Sequence, residues 1–328
     1  MNRQFFVIVL FSATLVACGG GSGGTSSALA ALAPMTINAA NEQQVASVGA
    51  GAGAGAAVGG MVPRSLPRTW SSVPSDLAAT IQQLIPDFSK QSGSRAISQI
   101  EADCAISGTR STALNDVNNN GIFDAGDSTS VVANACDDGD GMTISGPMTL
   151  RLNACVADFA NGSCEAMDTT FDIAMSSVGG SAQMQGDVSF VSQYDASFTI
   201  DRKFLVSSSL SISFGGERVS FSNFLSESSW DNNTGAFSDA TDFTVDVNVT
   251  GFVGRLVVNN TVPMTGNRLS GPYPTAGSST ITGAGGTTVV LDANTGDLNT
   301  VQVTTNGGAP QLFTWFELEQ QSPIPSFF

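Results

Sequence analysis

Phe243 to Thr250 reads FTVDVNVT, and this stretch decides the fold. Phe243, Val245, Val247 and Val249 fall on one side of an extended chain, with Thr244, Asp246, Asn248 and Thr250 on the other. A period of two carried by β-branched residues predicts a strand with one dry and one wet face. FLVSSSLSISF repeats the pattern, setting Phe204, Val206, Leu210, Ile212 and Phe214 against serines. After Cys104 the alternation recurs in MTISGPMTLRL, TTFDIAMSS, ASFTIDRKF, ERVSFSNFL, RLVVNN, SSTITG, TTVVLD, NTVQVTT and LFTWFEL. Gly215-Gly216, Asn233-Thr234-Gly235, Asn294-Thr295-Gly296 and Asn306-Gly307-Gly308 stand between these runs and supply the positive-φ positions of hairpins.

About a dozen strands with short connections predict a mainly all-β protein, an antiparallel meander curled into a sandwich or an open half-barrel. Roughly 220 residues suffice for one such domain. The proline-rich GPYPTAGS at 271–278 is the natural place for a sub-boundary. A transmembrane barrel is the competing reading of the same alternation. Two Tyr and three Trp are few for aromatic girdles, and two prolines interrupt the terminal SPIPSFF.

Helical signals are confined to the N-terminal part. SDLAATIQQLIPDFSKQ, 75–91, has Ser75 as N-cap and Leu77, Ile81, Leu84 and Ile85 on one face, with Pro86 ending or kinking it. A second short helix fits Arg95 to Glu101. Residues 19–60 are Gly, Ala and Ser with almost no charge, as in GGGSGGTSS and GAGAGAAVGG, and read as a flexible tether. About forty such residues reach roughly 35 Å. The expected division is therefore a leader at 1–17, a tether at 18–70 and a β-rich domain at 71–328.

MNRQFFVIVLFSATLVAC opens with Arg3, continues with an apolar run and ends in small residues before Cys18, the order of an export signal. Leu-Val-Ala-Cys resembles the lipobox of bacterial lipoproteins. That resemblance implies acylation of Cys18 and stable anchoring by several acyl chains. An ordinary signal peptide with a chance cysteine is the alternative. Gly rather than Asp follows Cys18, which favours the outer membrane, on its periplasmic or its cell-surface face.

Net charge is −16 with only 12 Lys and Arg, which repels phosphate backbones and excludes nucleic acid as a partner. There is no His, which removes Ser/His/Asp and Cys/His nucleophile systems and every His-ligated metal. Cys104, Cys136, Cys155 and Cys164 form an even set suited to two disulfides in an oxidising compartment, with three connectivities open. Cys104–Cys136 and Cys155–Cys164 is the preferred pairing, and free thiols are the alternative.

DVNNNGIFDAGD, 116–127, has the spacing of a calcium loop. Asp116, Asn118, Asn120, the Ile122 carbonyl, Asp124 and Asp127 fill positions 1, 3, 5, 7, 9 and 12, with Gly121 at the turn. The stretch resembles the calcium loops of dockerin-type repeats. Asp at position 12 and two neutral amides imply a Kd of ~10⁻⁴ to 10⁻³ M, as in extracellular modules. An Asx-rich hairpin turn is the alternative, and strands rather than helices are expected on both sides, STALND entering and DSTSVVAN leaving. DDGDG, 137–141, reads as a turn. DNNTGAFSDATD, 231–242, repeats the acid spacing with its glycine displaced.

CAISGTRSTALNDVNNNGIFDAGDSTSVVANAC, then ISGPMTLRL and later GPYPTAGSSTITG, resembles a group of lipobox-bearing, β-rich proteins of proteobacterial envelopes. The likeness implies fold and address, and no activity. The expected function is a non-enzymatic envelope lipoprotein that binds a protein or glycan partner, calcium being structural. Tyr194, Trp230, Tyr273 and Trp315 are candidates for a binding face or for core packing. A carrier of an apolar ligand on the dry face is the alternative, followed by a glycoside hydrolase with paired carboxylates.

Overall fold

A computed structural model describes residues 31–56 and 100–323, apart from 119, 121–123, 138, 140–141, 156–163, 178–179 and 195–199. The export signal, Cys18, the 75–91 helix and Ile122 lie outside the described residues.

Fourteen strands follow one another as β1 (Ile100–Asp103), β2 (Ser107–Asn115), β3 (Ser128–Asp137), β4 (Met142–Cys155), β5 (Cys164–Ser177), β6 (Gly180–Tyr194) and β7 (Ile200–Phe214). They continue as β8 (Glu217–Asp231), β9 (Ala236–Val249), β10 (Phe252–Asn267), β11 (Ala276–Thr282), β12 (Thr288–Asp292), β13 (Thr300–Thr305) and β14 (Gln311–Thr314). Each pairs antiparallel with the next in a single sheet of sequential order that is not closed into a barrel. Two helices accompany it, α1 (Glu42–Ala56) and α2 (Trp315–Gln320). The expected meander is what the chain forms. The sheet runs unbroken past the sub-boundary expected near 271, since β10 and β11 pair directly across it.

β9 shows why the period-two reading works. Phe237, Asp239, Thr241, Phe243, Val245, Val247 and Val249 are all buried, and the residues between them are less so. Leu150, Leu152, Ile173, Leu256, Val258, Ile281, Leu291 and Val301 continue that dry face across the sheet in one core. The opposite face carries Ser, Thr, Asn and Asp, with Val206, Leu225 and Val253 exposed among them.

One expected face is wrong. Leu210 and Ile212 are buried, but Val206 is 45% exposed while Ser207 is only 1% exposed. Between Ser189↔Val206 and Gly186↔Leu210, β7 spends four residues where β6 spends three. This bulge at Ser207–Ser209 switches the side chains before it to the opposite face, so Leu205 rather than Val206 packs on the core. Asp187 holds the bulge, accepting from Ser208 N (3.0 Å), Ser208 Oγ (2.6 Å) and Ser209 N (3.2 Å). Gly186 makes room for it, since a Cβ there would lie 2.2 Å from the Ser209 carbonyl oxygen.

The segment read as tether is corrected in part: residues 32–56 belong to the folded unit. Met35 N donates to Arg255 O and Arg255 N to Ala33 O, so this segment lines the part of β10 that extends past β11. Met35, Ile37, Val45, Ala46, Val48 and Ala50 are buried, and α1 lies against α2, β9, β11 and β12. Glycine costs a helix about 1 kcal/mol, yet here it permits the approach. A Cβ on Gly49 would meet Ile281 Cδ1 at 2.5 Å. Low hydrophobicity concealed a helix whose small side chains are the means of its packing.

Two further expectations change. Ile100 and Glu101, at the end of the expected second helix, are in β1, paired with Thr112 and Ser111. LFTWFEL is strand only as far as Thr314, where a capping box turns the chain into α2. The Thr314 hydroxyl accepts from Glu317 N, and the Glu317 carboxylate accepts from Thr314 N.

Candidate functional site

The 116–127 loop is the β2–β3 connection, with strands on both sides as expected. Its side chains point at one another. Asp127 is fully buried, with Oδ1 accepting from Val117 N and Oδ2 from Asp124 N, both at 2.8 Å. Asp124 receives Asn118 Nδ2 at 2.9 Å and Asn120 Nδ2 at 2.7 Å. Asn120 N donates to Asn118 Oδ1 at 2.9 Å and to Asp116 Oδ1 at 3.3 Å. The loop is tied to β4 through Leu152 N to Asp127 O and Gly126 N to Leu152 O. Among the described residues, no group of three or more His, Cys, Asp or Glu side chains is placed to hold a metal.

Cys104 and Cys136 are joined in a disulfide, their Cα atoms 5.4 Å apart, across 32 positions that include the loop. Cys155 and Cys164 are direct cross-strand partners on β4 and β5. Of the two other acidic runs, Asp137 Oδ1 accepts from Gly139 N in a turn. In the 231–242 run Asp231 Oδ1 accepts from Asn233 N and Thr234 N, closing the β8–β9 hairpin. Asp239 and Asp242 then point to opposite faces of β9, so this run does not form a calcium loop.

The structure assembles a polar cluster that sequence reasoning missed. Asp239 lies on the dry face of β9, 1% exposed, between Ser228 of β8 and Met264 of β10. Its Oδ2 is buried with no hydrogen-bond partner among the described residues. Arg268, just after β10, lays its guanidinium over the Trp230 ring, 3.4 Å from the centroid, with Phe237 5.9 Å away, and its Nε is buried without a partner. Burial pushes the Asp239 carboxyl up to about 8, with the Arg268 charge opposing, so it is a neutral acid at pH 7. Burial likewise brings Arg268 down to about 10, with Asp239 opposing. The signal was present in the sequence: Phe243 to Val249 extended backwards in steps of two reaches Asp239.

Trp315 is fully buried and stacks on Tyr273, with centroids 6.1 Å apart, so it belongs to the core. The Tyr273 hydroxyl donates to Glu319 Oε2 at 3.3 Å, and burial first, then the Glu319 charge, push the phenol up to about 12. Trp230 is half-buried beneath Arg268, and the Tyr194 side chain lies outside the described residues.

On the wet face, cross-strand registers align hydroxyls in rows. Ser209, Ser222 and Thr244 form one row over β7, β8 and β9; in the next, Ser211 is buried and accepts from Arg218 Nε, followed by Ser220, Asp246 and Arg255. Arg255 closes on Asp246 with two bonds, Nε to Oδ1 at 2.9 Å and Nη2 to Oδ2 at 2.7 Å. No protein-family model matches the chain, and neither does any curated protein or solved structure.

Proposed function

We propose that the protein is an outer-membrane lipoprotein, acylated on Cys18, whose β-domain binds a polar partner, a glycan or a protein, and performs no catalysis. The observation that supports this reading is the hydroxyl-lined wet face of β7, β8 and β9. Its regular rows of donors and acceptors suit a repeating polar ligand. Several acids are engaged in building the fold: Asp187 at the bulge, Asp231 at a hairpin, Asp246 with Arg255. A net charge of −16 directs the face away from anionic partners. On a glycan array, the full-length protein is expected to give a signal that Ser209→Arg with Ser222→Arg abolishes. An unchanged signal would place binding elsewhere.

Calcium in the 116–127 loop is part of this proposal. Asp116, Asn118, Asn120, the Ile122 carbonyl, Asp124 and Asp127 would hold it, displacing the amide and backbone donors that now meet the carboxylates. A site with Kd near 0.5 mM gains about 1.4 kcal/mol at 5 mM Ca²⁺, a Tm rise of roughly 3–5 °C. Asp124→Asn is expected to lose that rise. A Tm that ignores both Ca²⁺ and chelator would leave the loop as an Asx turn. We also propose a second disulfide, Cys155–Cys164.

A further inference from the structure

The connection between β10 and β11 is seated on the β8–β9 hairpin by specific contacts. Arg268 N donates to Gly235 O at 3.0 Å, and Asn267 Nδ2 to Thr234 O at 2.8 Å. Leu269 packs so closely that a Cβ on Gly235 would fall 2.7 Å from its Cγ. Asp239 Oδ2 and Arg268 Nε, both buried without a partner among the described residues, belong to the carboxyl and the cation that flank the Trp230–Phe237 cross-strand pair. A buried acceptor and a buried donor left without partners are costly, and such pairs mark places where an alternative arrangement would satisfy both.

We propose that Asp239 and Arg268 form a proton-operated latch that repositions the start of the 268–275 connection over the β8–β9 hairpin, while Tyr273, stacked on Trp315 and bonded to the titratable Glu319 of α2, holds its far end. With Asp239 protonated, nothing buried demands the guanidinium, and it rests on the Trp230 ring. When the proton leaves to bulk water, an unpaired carboxylate stands on an apolar face, and the cheapest compensation is the nearest cation. Arg268 then leaves Trp230 for Asp239, carrying its backbone contact with Gly235 along. The surroundings supply few competitors. Ser228 and Trp230 face Asp239 from β8 and Met264 from β10. Lys203 of β7 is one strand beyond, paired with Ser228, and Asp201 is the backbone partner of Trp230. α1, packed against β8 and β9, brings one charged residue, Glu42, which accepts from Gln311 Nε2 at 3.0 Å.

The test is a titration of the purified full-length protein from pH 6 to 9.5, reading the Trp230 fluorescence as the wild-type signal minus that of Trp230→Phe. Far-UV circular dichroism reports that the sheet persists across the range. The expected result is a single transition with its midpoint near 8. It is absent in Asp239→Asn, and in Arg268→Gln it moves upward by about one pH unit because the stabilising cation is gone. Amide exchange in 268–275 is expected to change across the same midpoint. A wild-type signal flat from pH 6 to 9.5, or a transition retained in Asp239→Asn, would overturn the latch. The wild-type titration decides this even if a variant fails to fold.

Discussion

Asp239→Asn is expected to stabilise the protein at neutral pH, against the usual direction for a buried substitution. The folded carboxyl is raised from 3.8 to about 8, so as pH rises the unfolded chain releases this proton first. Between pH 4 and 8 the folded state therefore binds more protons than the unfolded one, and stability falls with pH across that window. Below 4 both states are protonated and the contribution vanishes; above 8 it is constant. One pKa unit is worth about 1.36 kcal/mol, which sets an upper bound of about 4 kcal/mol at pH 7. Asn has the shape of the neutral acid and no such linkage, so a gain on the order of 2–4 kcal/mol is expected at pH 7.5, shrinking towards zero at pH 4.5. Urea unfolding of both proteins at the two pH values measures it. Carboxylates elsewhere titrate in both proteins and cancel in the difference. A variant no more stable than wild type at pH 7.5 would remove the neutral-acid assignment.

The second large effect is expected at the Cys104–Cys136 bridge. It closes a span of 32 residues, and the chain-entropy relation gives about 3–4 kcal/mol for a loop of that size. Both cysteines are buried, so Cys104→Ala with Cys136→Ala also gives up sulfur packing. A Tm lowered by about 10 °C follows for a domain of this length. The loss should leave β7 to β14 intact and concentrate in β1 to β4, where amide exchange would accelerate. Uniform acceleration across the sheet would show that the bridge acts on the whole fold.

Much of this architecture is written locally. β9 alternates without interruption, and its period of two forces one face inward whatever its neighbours do. The hairpins at Gly215-Gly216 and Asn306-Gly307 are equally local, because Gly215, Gly216, Asn306 and Gly307 all adopt positive φ. The misreadings arise where a partner decides. Val206 faces outward because Asp187, on another strand, stabilises a bulge one residue later. α1 is invisible to hydrophobicity because its Gly and Ala matter through the space they leave for Ile281 and Leu291. The capping box at Thr314 and Glu317 is legible in the sequence, but it competes there with the β-propensity of the aromatic residues around it. At the sites, spacing marks the 116–127 loop, while parity and compartment point to two disulfides and leave open which of three pairings takes Cys104. Asp239 reads from the sequence as one acid of the 231–242 spacing, because its partner Arg268 arrives from a connection 29 positions further on.

The reading as a whole rests on orientation: dry face inward, wet face outward, and attachment to the membrane through Cys18 alone. Residues 32–56 are part of the fold. Phase partition in a cloud-point detergent, comparing the wild-type protein with Cys18→Ser expressed in the same envelope, tests this directly. The account expects wild type in the detergent phase and Cys18→Ser, folded and oxidised, in the aqueous phase. Recovery of Cys18→Ser in the detergent phase would mean that the strands themselves enter the bilayer, and would contradict the account.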